Sequence, residues 1–157
     1  MKKVISLIIV LAVALSVCAF AAADDMTISY TTGQAYEVVI PASTSFSASK
    51  LSFSDKVSLK NVLLGIGKQV DVTMKSANNF NLKFEDSAIP YTVADTNGAI
   101  SGEKVVLSVA AGSTSGEATL SFATTANDIA KATLAGEHTD TLSFTVAVNT
   151  IDPPYQG

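Results

Sequence analysis

The sequence predicts an all-β chain, an antiparallel β-sandwich of one domain that follows a short apolar N-terminal segment. Apolar and polar residues alternate at period two in run after run, the pattern of strands with one buried and one wet face. Turn-forming Gly, Asn, Asp and Pro punctuate those runs at short intervals. No stretch after the N-terminal segment carries the 3.6-residue period of a long helix. The clearest strand is the last, residues 142–148. There Leu142, Phe144, Val146 and Val148 share one parity, and Thr141, Ser143, Thr145, Ala147 and Asn149 share the other. Such a strand is not stable alone, so the remaining chain must supply a sheet and a facing layer. On this reading the last strand is the element around which the chain is organised.

Residues 1–23 read as a cleaved signal peptide rather than as part of the fold. Lys2 and Lys3 precede an apolar run broken only by Ser6 and Ser16, and Ala21, Ala22 and Ala23 are the small residues a signal peptidase reads. The alternatives are a retained membrane anchor and a lipoprotein attached through Cys18. Val17 is bulky where a lipoprotein signal has a small residue, so cleavage after Ala23 is preferred. The domain then spans residues 24–157, the size of one domain.

The strands follow in order. Residues 26–30 alternate as a first strand, and Gly33 and Gln34 make a turn. Residues 36–40 form the next strand, ended by Pro41. Residues 42–54 are rich in Ser and small residues and read mostly as loop, with a short strand near 51–53. Val57 and Leu59 share a face that Asn61 continues, and Val62, Leu63 and Leu64 close the segment. After a turn at Gly65, Ile66 and Gly67, the residues Val70, Val72 and Met74 alternate with Gln69, Asp71, Thr73 and Lys75. Asn78 and Asn79 turn the chain into a strand on which Phe80, Leu82 and Phe84 alternate with Asn81 and Lys83. Residues 85–88 turn, and residues 89–94 form one further strand, placed at a sheet edge by Pro90. Asn97 and Gly98 suit a tight turn because both tolerate positive φ. Residues 104–110 are strand, residues 112–116 loop, and Ala118, Leu120 and Phe122 alternate on the strand after it. Residues 126–134 admit either a single helical turn capped by Asn127 or Asp128, or a loop crossing between sheets. Asp152, Pro153 and Pro154 end the last strand. Roughly eight short strands with frequent turns point to a β-sandwich, with a closed barrel as the runner-up.

Composition excludes several functions. Ten lysines, no arginine and fourteen acids give a net charge of −4, which becomes −6 once Lys2 and Lys3 are removed. Nucleic acid needs clustered positive charge, and so does attachment to anionic lipid, so neither is a partner. Cys18 leaves with the signal, so the domain has no disulfide, no thiol nucleophile and no cysteine metal site.

The residues Gly136, Asp140, Thr141, Leu142, Phe144, Thr145 and Val146, in the last turn and strand, resemble the ending of secreted bacterial immunoglobulin-like surface proteins. Similar endings occur in WxL-type wall-surface proteins and in pilin-like spore-coat-U domains. His138 stands where that pattern has Tyr, and the chain has no Trp, hence no Trp-x-Leu pair. The cysteines of spore-coat-U domains are absent after residue 23. The resemblance implies an immunoglobulin-like fold and an extracellular structural or adhesive role. It places the chain in the secreted or cell-surface fraction, with other surface proteins or further copies of itself as partners.

No residue set stands out as a catalytic, cofactor or metal site. His138 is the only histidine, too little for a zinc site, and is read as holding the turn before the last strand. Calcium candidates are Asp24 with Asp25, Glu85 with Asp86, and Asp95 with Asn97. None follows the alternating pattern of a calcium loop, and they are read as solvated turn carboxylates. Gly65 and Gly67 have no helix after them and form no phosphate cradle. Lys75, Lys83 and Asn149, considered for a Lys–Asn isopeptide bond, lie on the polar parity of their strands. Three function classes remain: a surface module acting by protein contacts, a pilus-like subunit polymerising by strand exchange, and a secreted enzyme. The single His and the lack of Cys and Arg weigh against the enzyme. A full complement of strands weighs against the pilus subunit.

Overall fold

The computed structural model describes residues 29–151, and all its strands lie in the unit that begins at Thr32. In order they are β1 Ala35–Val39, β2 Ser52–Leu63, β3 Lys68–Ser76, β4 Asn81–Phe84, β5 Ser87–Pro90, β6 Thr92–Asp95, β7 Gly98–Ile100, β8 Lys104–Ala110 and β9 Gly116–Ala123. A helical turn, α1 Ala126–Ile129, precedes the last strand, β10 Leu142–Thr150. All pairings are antiparallel. The strands make three sheets, ordered β1-β2-β9-β6-β7, β10-β3-β8 and β4-β5. The fold is therefore all-β, and neither larger sheet closes on itself among the described residues.

The core lies where β8 meets β2 and β9 across the two larger sheets. Val57, Leu59, Val70, Val72, Met74 and Leu120 are its fully enclosed members. Burying each such side chain contributes about 1.5–3 kcal/mol. Gly116 opens β9 against β8, where a Cβ would run into the Val109 side chain, so only glycine allows this approach.

The organising strand is β3, not β10. β3 sits between β10 and β8, and Val70, Val72 and Met74 are 0% exposed. Among the described strands β10 lies at an edge, with Leu142, Phe144 and Val146 only half-buried and Val148 exposed. Its parity is as expected, but alternation reports which face is apolar and not how many neighbours flank the strand.

Other expectations are corrected by local backbone chemistry. The inner face of β2 does not continue through Asn61. Ala35 is opposite Leu63 while Glu37 is opposite Lys60, so β2 carries one extra residue. Asn61 absorbs it at φ 52, and Val62 turns inward instead, 4% exposed. A second bulge in β8 buries the adjacent Val106 and Leu107 and leaves Val105 exposed. The single strand expected over 89–94 is two. Pro90 has no N–H to continue a ladder, and Tyr91 donates its own N–H to the Phe80 carbonyl at 3.0 Å. The chain thereby passes from the small sheet, where β5 pairs with β4, to the large one, where β6 pairs with β9 and β7. The turn expected over 85–88 shortens to Glu85 and Asp86, with Ser87 and Ala88 already in β5. Phe80 precedes β4 at φ 59 rather than lying in it. The cap of α1 is Thr125, not Asn127 or Asp128. Its hydroxyl accepts from the Asp128 amide at 3.0 Å, a reach that requires the cap to precede the first turn.

The expected signal peptide 1–23, Asp24, Asp25, residues 26–28 of the first expected strand, and Asp152, Pro153 and Pro154 lie outside the described residues. Ser29 and Tyr30, the rest of that strand, are exposed and not in a strand.

Candidate functional site

The site is built on the free side of β10. Its register with β3 runs without interruption from Leu142 opposite Ser76 to Thr150 opposite Lys68. Just outside the strand, the Ala77 amide donates to the Thr141 carbonyl at 2.9 Å, and the Ile151 amide donates to the Gly67 carbonyl at 2.8 Å. Antiparallel strands alternate bonded and non-bonded residues. Ser143, Thr145, Ala147 and Asn149 therefore aim their backbone groups at β3. Leu142, Phe144, Val146, Val148 and Thr150 aim theirs away from it. No described strand takes up those groups. The residues whose N–H and C=O find no partner among the described strands are thus, Thr150 apart, also the ones whose apolar side chains lie on the inward parity.

Beside the start of β10 an open groove of about 810 Å³ is lined by residues 41–48, by the 136–142 segment that leads into β10, and by Phe53 and Asp55 of β2. Phe46, Phe53, Tyr91, Phe122, Leu142 and Phe144 line much of it. Its floor is an aromatic stack. Phe53 stacks on Phe122 with centroids 4.9 Å apart, and Phe46 leans on Phe53 at 5.0 Å, which holds the 41–48 segment down.

The turn into β10 is held by two polar fasteners. Asp140 Oδ2 accepts from the Ser76 hydroxyl at 2.6 Å and the Tyr91 phenol at 2.7 Å. Its Oδ1 accepts from the amides of Asn78 at 3.0 Å and Thr141 at 2.8 Å. Burial, and then the bond to the Asp140 carboxylate, push the Tyr91 phenol far above its ordinary range, so it stays a donor. His138 makes the second fastener. Its Nδ1 donates to the Gly136 carbonyl at 3.1 Å, which leaves Nε2 to accept from the Ser87 hydroxyl at 2.8 Å.

A serine hydroxyl on an imidazole is the pairing of a nucleophile with its base. Here Ser87 is 1% exposed, and its oxygen already accepts from the amides of Thr133 at 3.0 Å and Leu134 at 3.4 Å. No substrate carbonyl can reach it, so the pair acts as a latch on the 133–138 segment.

The remaining candidates are not brought together. Glu85 and Asp86 form an exposed two-residue turn. Asp95 accepts from the Asn97 amide at 2.8 Å and pairs with Lys104 at 2.8 Å. No three of His, Cys, Asp and Glu converge among the described residues. Gly65 and Gly67 make the turn from β2 into β3, with a strand rather than a helix after them. Lys75 pairs with Glu103 at 3.6 Å, Lys83 is exposed on β4, and Asn149 donates to Asp71 at 2.7 Å. Asp71 also accepts from Gln69 and Ser108, so this carboxylate ties β10, β3 and β8 together on their outer face.

No family model, curated protein or solved structure matches the chain.

Neither the Asp140 fastener nor the placing of an open edge on β10 was legible in the sequence. Asp140 lies 64 residues from Ser76 and 49 from Tyr91, so no local spacing signals it.

Proposed function

We propose that the chain is an immunoglobulin-like β-sandwich domain acting outside the cell as a structural or adhesive module, by protein contacts along the free edge of β10. The observation that carries this reading is the edge itself. β10 is nine residues long, with no charge and no proline among them, and its inward side chains are incompletely covered. Edge strands that must stay solitary are normally short, charged or bulged. β10 has none of these protections over its full register with β3. A pilus-like subunit assembling by strand exchange is the second reading. The groove that continues from the β10 edge favours it, since a donated strand would add to the edge and place alternate side chains in the groove. The reading gives the chain no catalytic step.

The test compares cells producing the protein from its full coding sequence with cells producing Val148→Lys, an exposed inward position on the edge. The wild-type protein is expected at the cell surface, accessible to added protease and retained on washing. Val148→Lys is expected to be exported and then lost to the medium. Finding the wild type only inside the cell overturns the reading, as does equal retention of the two.

A further inference from the structure

We infer that β10 pairs antiparallel with β10 of a second copy of this chain, about a two-fold axis at Val146, making one continuous sheet from two three-stranded ones. The inference rests on the reading of β10 as the docking edge and adds its occupant. With Val146 opposite its own copy, Phe144 faces Val148 of the other chain and Leu142 faces Thr150. Leu142, Phe144, Val146, Val148 and Thr150 are the residues whose backbone groups point off the edge. In this register they meet only one another, as bonded pairs. The full strand then forms roughly ten interchain backbone hydrogen bonds.

Side-chain chemistry agrees with the backbone register. Val148, 38% exposed in the single chain, is covered by Phe144 of the second copy, an aromatic on a β-branched residue. On the outer face Ser143 meets Asn149, and Thr145 meets Ala147. Because β10 holds no charged residue, its copy brings no like charge opposite. Among the described strands, the other edges of the two larger sheets are less suited to pairing. β7 is three residues long, β1 is five and carries Glu37, and β8 begins with Lys104 and is bulged. A two-fold pairing is self-complementary and closes at two copies, so it uses up the edge without forming a fibre.

The test follows backbone amide exchange together with sedimentation, using protein produced from its full coding sequence across a wide concentration range. Dimers should form as concentration rises. The amides of Phe144, Val146 and Val148 should exchange fast in dilute solution and slow at least tenfold in the dimer, while Thr145 and Ala147 are slow throughout. Val148→Lys should weaken dimerisation at least tenfold, and Val148→Thr, which stays uncharged and β-branched, far less. A protein that stays monomeric with fast Phe144, Val146 and Val148 amides overturns self-pairing and leaves the edge open to a different partner. Slow amides at those positions in the monomer mean that another segment of the same chain occupies the edge, which overturns both this inference and the proposed function. Open-ended oligomers, or a dimer unaffected by Val148→Lys, overturn the two-fold arrangement.

Discussion

At the scale of single residues, the turn into β10 depends on atoms that have no spare capacity. Asp140 uses both carboxylate oxygens twice, on Ser76, Tyr91, Asn78 and Thr141. An asparagine would turn one of those oxygens into a donor facing donors. Asp140→Asn should therefore destabilise by about 2 kcal/mol, measured by urea unfolding, whereas Tyr91→Phe should cost about 1 kcal/mol. Gly136 is required for a different reason. A Cβ there would come within 2.5 Å of the Phe84 ring. Gly136→Ala should cost about 1–3 kcal/mol through forced displacement of that ring. Gly33→Ala, where a Cβ meets nothing within 4 Å, is the control and should leave the unfolding midpoint nearly unchanged. Equal midpoints for the two glycine variants would show that Phe84 yields freely.

At the scale of elements, β3 and β10 carry the same alternating pattern but different loads. Met74 on β3 is 0% exposed, flanked by strands on both sides. Met74→Ala should cost about 2–5 kcal/mol. Phe144 on β10 is larger but only half-buried, so Phe144→Ala should cost less, about 1–2 kcal/mol in the monomer. Thermal unfolding of both variants at one low concentration checks the order. A larger loss at Phe144 would mean that β10 is covered on its free side. The bulge in β2 gives a further comparison. Asn61 holds φ 52, so Asn61→Val should destabilise by about 1–2 kcal/mol while Asn61→Gly is tolerated.

At the scale of the molecule, carboxylates held below their ordinary range couple stability to pH, Asp71 and Asp95 among them. Burial alone would raise the Asp71 carboxyl, but hydrogen bonds from Ser108, Asn149 and Gln69 outweigh it and hold it below its ordinary 3.8. The hydrogen bond from Lys104, opposed by partial burial and aided by the Asn97 amide, holds Asp95 below 3.8 as well. A carboxyl whose folded pKa is depressed stabilises the fold above its unfolded pKa, and that contribution is lost as pH falls through the folded value. The melting temperature should therefore be flat with respect to these two groups above about pH 5 and fall below about pH 4. Asp95→Asn should lower the plateau and make the acid limb shallower. An acid limb unchanged in both Asp95→Asn and Asp71→Asn would place the acid sensitivity elsewhere.

The all-β class and the parity of β3, β9, β10 and β2 as far as Leu59 were legible in the chain itself, because period-two alternation is a local consequence of pleated backbone meeting water on one side. β8 matched its expected bounds, and Val70, Val72 and Met74 faced inward as their spacing required. Local spacing carries no information about neighbours, so it misplaced β10 at the centre. It also ran one strand through Tyr91 where Pro90 ends a ladder, and it extended the inner face of β2 to Asn61 where a bulge intervenes. The Asp140 fastener and the free edge of β10 arise from residues far apart in the chain. Which backbone groups lack a partner is settled by how strands are ordered in the sheet, a long-range property that no local pattern encodes.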